Sequence, residues 1–231
     1  MTSIVDGVAE AFALIARGDP GLLRIVWLSL WSTGVATVIA MVVGVPGGVF
    51  LALHRFSGRN LFVTFVNAGM GIPPVVVGLF VFLLLARSGP LGNLELLYTP
   101  TAIIVAQVII ATPQVIGVTL AGVQGLDDRM ALQIVSLGAS RPQLYLKLVR
   151  EARVAVLAAL AAGFGAIISE VGAVMMVGGN IQGQTRVMTT AIVLETRQGN
   201  FAMAIALSTV LLVIALVING AFTWLQQRRA R

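Results

Sequence analysis

Five apolar segments, each long enough to cross a lipid bilayer, run through this sequence. A membrane-spanning α-helix needs roughly 20 residues, and each segment exceeds that length. Strands of a barrel are much shorter, and backbone in lipid must satisfy its own hydrogen bonds, so we predict helices. Their approximate bounds are 22–53, 60–86, 100–124, 153–177 and 200–226. Only 10% of the residues are charged, against about a quarter in soluble domains, so we predict an all-α integral membrane protein.

The first 20 residues have a different character. Apolar residues recur there at helical spacing, at Ile4, Val8, Phe12 and Ile15. No basic residue precedes them and two acidic residues interrupt them, so the stretch does not resemble a signal peptide. It is also too short to span a membrane. We predict an interfacial amphipathic helix in residues 1–20, then a membrane domain at 21–227 and a basic tail at 228–231.

The basic residues favour one orientation, because cytoplasmic connections are enriched in arginine and lysine. If the first long helix runs from outside to inside, ten basic residues fall inside and five outside. The ten are Arg55, Arg59, Arg129, Arg141, Lys147, Arg150, Arg153, Arg228, Arg229 and Arg231, and the five are Arg17, Arg24, Arg87, Arg186 and Arg197. We therefore predict an external N-terminus and a cytoplasmic C-terminus. The net charge of +6 is then a property of membrane topology, and we predict no nucleic-acid partner.

The residue types exclude several kinds of chemistry. The chain has no cysteine and a single histidine, His54, so a thiolate site, an imidazole metal site and a histidine relay lack their ligands. It contains neither HExxH nor GxSxG, and no P-loop that could bind ATP. We predict no catalytic residue, no metal site and no cofactor in this chain. These absences argue against the alternative of a membrane-embedded enzyme.

Small residues four positions apart occur within the predicted helices, for example Gly44 with Gly48 and Gly117 with Ala121. Such pairs allow helix backbones to approach closely in lipid. We predict that they pack helices of the same chain together. A dimer seam or a pore lining is the alternative.

Residues 125–153, the longest predicted cytoplasmic connection, combine basic residues with apolar residues at helical intervals. The apolar positions are Met130, Ile134 and Leu137, then Leu144, Leu148 and Val149. Gly138-Ala139-Ser140 interrupts the pattern, and Ser140 can cap a second helix with Pro142 in its first turn. We predict two short amphipathic helices at a right-angled bend. They are either a simple interfacial loop or a docking element, since a helix that docks in a groove needs this spacing of apolar anchors.

Six short motifs occur in order between residues 30 and 210. They are GVPG at 44–47, GIPPVVVGL at 71–79, SGPLG at 88–92, LYTPTA at 97–102 followed by Ala106-Gln107, LGAS at 137–140, and GGNI at 178–181 followed by Thr185-Arg186. Together they resemble the permease subunits of tungstate-type importers. This oxyanion branch of the type I ABC importer family also includes the molybdate permeases. The LGAS motif is similar to the family's glycine-centred coupling loop.

This resemblance implies the type I ABC importer transmembrane fold, in the plasma (inner) membrane of a prokaryote, and a homodimer. The implied partners are a cytoplasmic ABC ATP-binding subunit that carries ATP and Mg²⁺, an extracytoplasmic solute-binding protein, a second copy of the chain, and the lipid bilayer. The ATP-binding subunit would contact Leu132, Gln133, Ile134, Leu137, Gly138, Ala139 and Ser140. The family's coupling loop usually opens with Glu-Ala-Ala, and this chain has Leu132, Gln133 and Ile134 at those positions.

Two features within the predicted helices are candidates for a translocation path or gate. Pro73-Pro74 frees backbone carbonyls in mid-membrane, which indicates either a structural kink or a break that lines the pore. Glu170 is an ionisable residue well inside a predicted span. It is either a gate residue paired with Arg186 or Arg197, or an interface residue that reaches the headgroups.

Three further residues follow the fourth apolar segment. Asn180, Thr185 and Arg186 offer amide, hydroxyl and cationic donors that could hold a tetrahedral oxyanion near the external mouth. A purely structural role in the loop explains the neighbouring glycines equally well.

The leading hypothesis is a permease subunit for ATP-driven import of an oxyanion, with tungstate preferred over molybdate. A permease for another anion, such as phosphate or sulfate, is one alternative. A channel or secondary transporter that works without ATP is another, although it would leave residues 125–153 without a role.

Overall fold

The computed structural model describes the backbone of residues 4–230, and the side chains of residues 8–127 and 129–227. These residues form eleven α-helices and one short 3-10 helix, with no strand among them. The helices are α1 Ile4–Arg17, α2 Pro20–Leu53, α3 Arg59–Gly71, α4 Pro74–Leu85, α5 Pro100–Gln124, α6 Asp128–Ser136, α7 Arg141–Glu151, α8 Arg153–Ile168, α9 Gly172–Gly178, α10 Met188–Arg197 and α11 Phe201–Ala230. The 3-10 helix is Gly92–Leu94. The all-helical architecture predicted from the sequence is confirmed.

Three helices are long and apolar enough to cross a membrane on their own: Pro20–Leu53, Pro100–Gln124 and Phe201–Gln227. Two further pairs pass the same test only when each bent pair is counted as one span, namely α3 with α4 and α7 with α8. The described residues therefore hold three to five candidate spans. The axes of α7 and α8 differ by 74°.

The second apolar segment, 60–86, is not one continuous helix. It stops at Gly71 and starts again at Pro74, and between them Ile72 and Pro73 have ψ angles of 128° and 125°. A residue that precedes proline is disfavoured in the α region, and here two consecutive residues each precede one. Single prolines have a milder effect in this chain, since Pro46 lies inside α2 and Pro113 inside α5. The proline pair therefore interrupts the helix.

The fourth apolar segment, 153–177, is also divided. Helix α8 ends at Ile168 and α9 begins at Gly172. The side chain of Glu170 accepts a hydrogen bond from the Ala173 N–H at 2.9 Å, and the Glu170 carbonyl accepts one from Thr189 Oγ1 at 2.8 Å. These polar contacts satisfy backbone groups that a continuous helix would otherwise pair internally.

The described residues form two compact units. The first contains residues up to 36, 73–107 and 167–218. Its helices α4 and α9 touch backbone to backbone, because a Cβ built on Gly78 would lie 2.6 Å from the Cα of Ala173. Its largest fully buried side chains include Ile103, Ile167, Met188 and Leu207.

The second unit contains residues 37–72, 108–166 and the chain from 219. Here α2 packs on α5 through glycine: a Cβ on Gly44 would lie 2.7 Å from Val115 Cγ1, and one on Gly48 would lie 2.7 Å from Thr119 Cβ. The predicted close packing within one chain is therefore confirmed for this pair of glycines. A small buried cluster, formed by Val49, Val123 and Ala152, lies in the same unit.

Candidate functional site

Residues 125–153 form two helices joined by a short turn. Asp127 is the N-cap of the first helix, α6, and its carboxylate accepts a hydrogen bond from the Arg129 N–H at 2.9 Å. Gly138 in the turn has φ +82°, a conformation that glycine adopts without strain. Ser140 begins the second helix, α7, and its N–H donates to Gln143 Oε1 at 2.8 Å. The predicted interruption at residues 138–140 thus corresponds to a real break between two helices.

The segment presents apolar side chains to its surroundings. Leu132 is 69% exposed, Val135 53% and Leu137 88%. A shallow, open cavity of about 510 Å³ lies at this surface, and Arg129, Leu132, Gln133, Ser136 and Leu137 line it. Among the other predicted contact residues, Gly138 and Ser140 are exposed, whereas Ile134 and Ala139 are half-buried. Val135 is exposed as well but does not line this cavity. We call the exposed face of Leu132 and Leu137 the docking face.

Other side chains of the segment pack against the rest of the second unit, to which the segment belongs. Leu148 of α7 is 2% exposed, and Tyr145 packs on the Val49, Val123 and Ala152 cluster. The Tyr145 hydroxyl lies 3.3 Å from Nδ1 of His54, whose ring stacks on Phe50 with 4.5 Å between centroids. These contacts join the docking segment to the end of α2.

Glu170 lies in the break between α8 and α9 and accepts a hydrogen bond from the start of α9. Its Oε1 accepts the Ala173 N–H at 2.9 Å, in the first turn of α9. Glu170 is not paired with Arg186 in this structure, since Arg186 Nη1 lies 3.7 Å from Oε1 of Glu195 instead. No ion pair of Glu170 with Arg197 is present among the described side chains.

Replacing Glu170 by glutamine is therefore expected to leave transport and the midpoint of thermal unfolding unchanged. The amide oxygen of glutamine can accept the same Ala173 N–H, whereas Glu170→Leu removes the acceptor and costs about 1 kcal/mol. Transport assays and thermal unfolding in detergent compare the two variants. Loss of transport in Glu170→Gln, with unfolding unchanged, would give the carboxylate charge a gating role.

The loop after α9 uses two of the predicted oxyanion donors to hold its own shape. Thr185 Oγ1 donates to the Gly178 carbonyl and accepts the Ile181 N–H at 2.9 Å. Asn180 has φ +53° and its Nδ2 donates to the Thr190 carbonyl at 3.4 Å. Thr185 is fully buried. The side chains of Asn180 and Thr185 thus form hydrogen bonds within the loop, and the Arg186 side chain takes no part in these bonds.

Gln107, one of the motif residues that carry the resemblance to tungstate-type permeases, is a buried polar group in the first unit. Gln107 is 2% exposed, and its Nε2 donates to Thr33 Oγ1 and to the Ile167 carbonyl, both at 3.3 Å. Ser29 Oγ accepts the Met188 N–H at 2.8 Å, which ties α10 to α2. These bonds connect α2 to the helices packed around it in this unit.

The first unit also contains a basic cavity of about 490 Å³. It lies among the start of α2, the loop before α10, and α10 itself. Its charged residues are Arg24, Arg186 and Glu195. The sequence pattern marks Arg24 only as an external basic residue, and no motif marks Glu195. We call this space the arginine cavity.

The family model of the binding-protein-dependent transport system inner membrane component matches residues 44–231. The chain belongs to this family. Its members are permeases, and the match covers the docking segment and most of the candidate spans. The sequence-based assignment to ABC importer permeases is confirmed.

Three relatives align over most of their length. The tungstate uptake system permease protein TupB of Peptoclostridium acidaminophilum is 39% identical, covering 98% of this chain and 100% of that protein. A probable anion ABC transporter permease protein of Haloferax volcanii is 40% identical, covering 90% and 93%. The TupB protein of Campylobacter jejuni is 36% identical, covering 94% and 90%.

A solved structure of another transporter has the same fold as this chain. The inward-facing MetNI methionine ABC transporter matches with a TM-score of 0.70 at 19% sequence identity. The match covers 91% of this chain and 97% of that chain. The chain thus has the transmembrane fold of an ABC importer permease.

Proposed function

We propose that this permease forms the translocation path of an ATP-driven importer of tungstate or a closely related tetrahedral oxyanion, and that it works as a homodimer. The names of the relatives support the substrate: two are tungstate uptake permeases and one is an anion permease. Selection of the ion would rest largely with an extracytoplasmic solute-binding protein that delivers it. The external N-terminus and cytoplasmic C-terminus predicted from the basic residues belong to this proposal.

The docking face is the main support for the proposal that transport is coupled to ATP hydrolysis. Leu137 is 88% exposed at the turn between α6 and α7, and Leu132 and Val135 are exposed on the same segment. Exposed apolar side chains outside the candidate spans suit a protein groove. We assign that groove to a cytoplasmic ATP-binding subunit, which supplies ATP and Mg²⁺. Closure of two such subunits would move the permeases between inward- and outward-facing states.

The helix break at Pro73-Pro74 belongs to the proposed path. Backbone at Ile72 and Pro73 is extended, and non-helical backbone at membrane depth is stable only when protein or a water-filled cavity replaces lipid. Glu170, at the second break, stabilises the local turn. We propose that these two interruptions face the interior of the assembled transporter.

Reconstitution tests the function directly. The permease is purified with its ATP-binding subunit, placed in lipid, and supplied with the binding protein loaded with tungstate, molybdate, sulfate or phosphate. We expect ATP hydrolysis to rise most with tungstate. Stimulation by a different ion alone would keep the importer and replace the substrate, and failure to copurify any ATP-binding subunit would contradict the proposal.

A further inference from the structure

The arginine cavity contains the guanidinium of Arg186, which has few hydrogen-bond partners among the described residues. The Arg186 side chain is 15% exposed, and its nearest carboxylate oxygen, Oε1 of Glu195, lies 3.7 Å from Nη1. That distance is longer than a hydrogen bond. Arg186 Nε is buried and has no hydrogen-bond partner among the described residues. A guanidinium has five N–H donors, so Arg186 retains most of its capacity to bind an anion.

Glu195 does not neutralise the cavity. Its Oε2 accepts a hydrogen bond from Asn200 Nδ2 at 2.8 Å, which holds the carboxylate towards the end of α10. Only the other oxygen faces Arg186. With Arg24 and Arg186 opposing one carboxylate, the charged residues that line the cavity carry a net positive charge.

Arg24 reaches the same space from α2. A Cβ built on Gly183 would lie 3.3 Å from Arg24 Nη1 and 3.5 Å from its Cζ, so the guanidinium rests against the loop backbone. Gly183 has φ +74°, a conformation that favours glycine. Arg24 is exposed and belongs to none of the ion pairs found among the described side chains. The glycine thus provides room for a second free guanidinium beside Arg186.

We propose that the arginine cavity is a transient binding site for a tetrahedral oxyanion, held by Arg24 and Arg186 and supported by the amides of Gln182 and Gln184. Planar guanidinium groups bind tetrahedral oxyanions through paired N–H donors. A cavity of about 490 Å³ is much larger than one such ion, so the ion keeps part of its hydration and is held loosely. Loose binding suits a path from which the ion must leave again.

This inference rests on the proposed function, since it takes the occupant to be the transported ion. It places Arg24 and Arg186 towards the external side of the membrane, as the orientation predicted from the basic residues also does. The phosphate of a lipid headgroup has the same chemistry, and the apolar side chains of Ile25, Trp27 and Leu28 also line the cavity. We assign the cavity to the free ion, and the experiment separates the two sources.

Direct binding of tungstate tests the site. The purified permease with its ATP-binding subunit, in detergent and without binding protein, is dialysed against sodium tungstate, and tungsten retained per permease is measured. We expect Arg24→Gln to weaken binding about tenfold. The matched control is Arg197→Gln, which removes an exposed arginine at the end of α10 that does not line the cavity, and it should bind as the original protein does.

A second variant separates geometry from net charge. Gly183→Ala leaves the charge unchanged but strains the φ +74° backbone and displaces Arg24, so it should also weaken binding. Thermal unfolding verifies that each variant is folded. The proposal is overturned if tungstate is not retained, if Arg24→Gln binds normally, or if native mass spectrometry finds a phospholipid that depends on Arg24 and resists displacement by tungstate.

Failure of the broader function gives a different result. If the isolated complex binds tungstate through Arg24, but the complete transporter with binding protein does not import it, the site stands and the proposed substrate of transport fails. If transport proceeds and tungstate binding does not depend on Arg24, the importer stands and the arginine cavity is not the site.

Discussion

Leu137→Asp is expected to weaken the association of the permease with its ATP-binding subunit strongly. Leu137 is 88% exposed at the tip of the docking segment, so the substitution does not disturb the folded permease alone. In the complex, however, the carboxylate would lose its hydration inside an apolar groove, which costs several kcal/mol. We expect binding on the order of 100-fold weaker. Copurification from membranes and ATP-driven uptake in proteoliposomes measure the effect.

The control for this prediction is Leu137→Met, which conserves volume and apolar character and should retain association. A permease carrying Leu137→Asp should unfold at the original temperature, because the altered side chain contacts little of its own chain. Normal assembly and uptake in the aspartate variant would remove the docking face from the coupling mechanism.

Gly48→Ala is expected to destabilise the permease strongly, by about 2–3 kcal/mol. A Cβ at this position would lie 2.7 Å from Thr119 Cβ, 2.8 Å from the Ile116 carbonyl oxygen and 3.0 Å from the Leu120 backbone nitrogen. Two of these three atoms belong to the backbone of α5, so side-chain rotation cannot relieve the clash. Thermal unfolding in detergent and the yield of folded protein report the change.

Gly34→Ala provides the comparison within the same helix. A Cβ on Gly34 meets nothing within 4 Å. Replacing a helical glycine by alanine where space allows stabilises by roughly 0.5–1 kcal/mol, so this variant should be neutral or more stable. Equal effects of the two substitutions would show that helix propensity, and not the approach of α2 to α5, governs both positions.

The membrane fold could be predicted because its signal is local. Long apolar runs report spanning helices wherever they occur, and the glycine pair at 44 and 48 reports close packing. Helix α10 was missed for the opposite reason. Its buried residues include Thr189, Thr190 and Glu195, so its interior face is polar and hydropathy does not distinguish it from a connecting loop.

The breaks within the second and fourth segments depend on information of different kinds. At Pro73-Pro74 the cause lies in neighbouring residues, and the sequence left open whether the pair makes a structural kink or a break that lines the pore. At Glu170 the break depends on Thr189, which is distant in the chain and donates to the Glu170 carbonyl. No local pattern contains that contact.

The same distinction applies to the candidate sites. The docking segment was predicted from apolar spacing and a glycine because all of its determinants lie within residues 125–153. The arginine cavity was not, since Arg24 and Glu195 come from opposite ends of the chain and meet only in the folded unit. Asn180 and Thr185 have the donors expected of an oxyanion site, yet the loop uses them for its own hydrogen bonds.

The stacking of His54 makes the permease a convenient object for spectroscopy. It is the single histidine of the chain, its ring lies 4.5 Å from that of Phe50, and its Nδ1 lies 3.3 Å from the Tyr145 hydroxyl on α7. Ring currents from Phe50 and hydrogen bonding to Tyr145 both affect the imidazole resonances. A permease labelled with ¹⁵N-histidine, and purified without a polyhistidine tag, would therefore give the resonances of one imidazole ring per subunit. These resonances would follow the docking segment through the ATP cycle without any substitution or chemically attached probe.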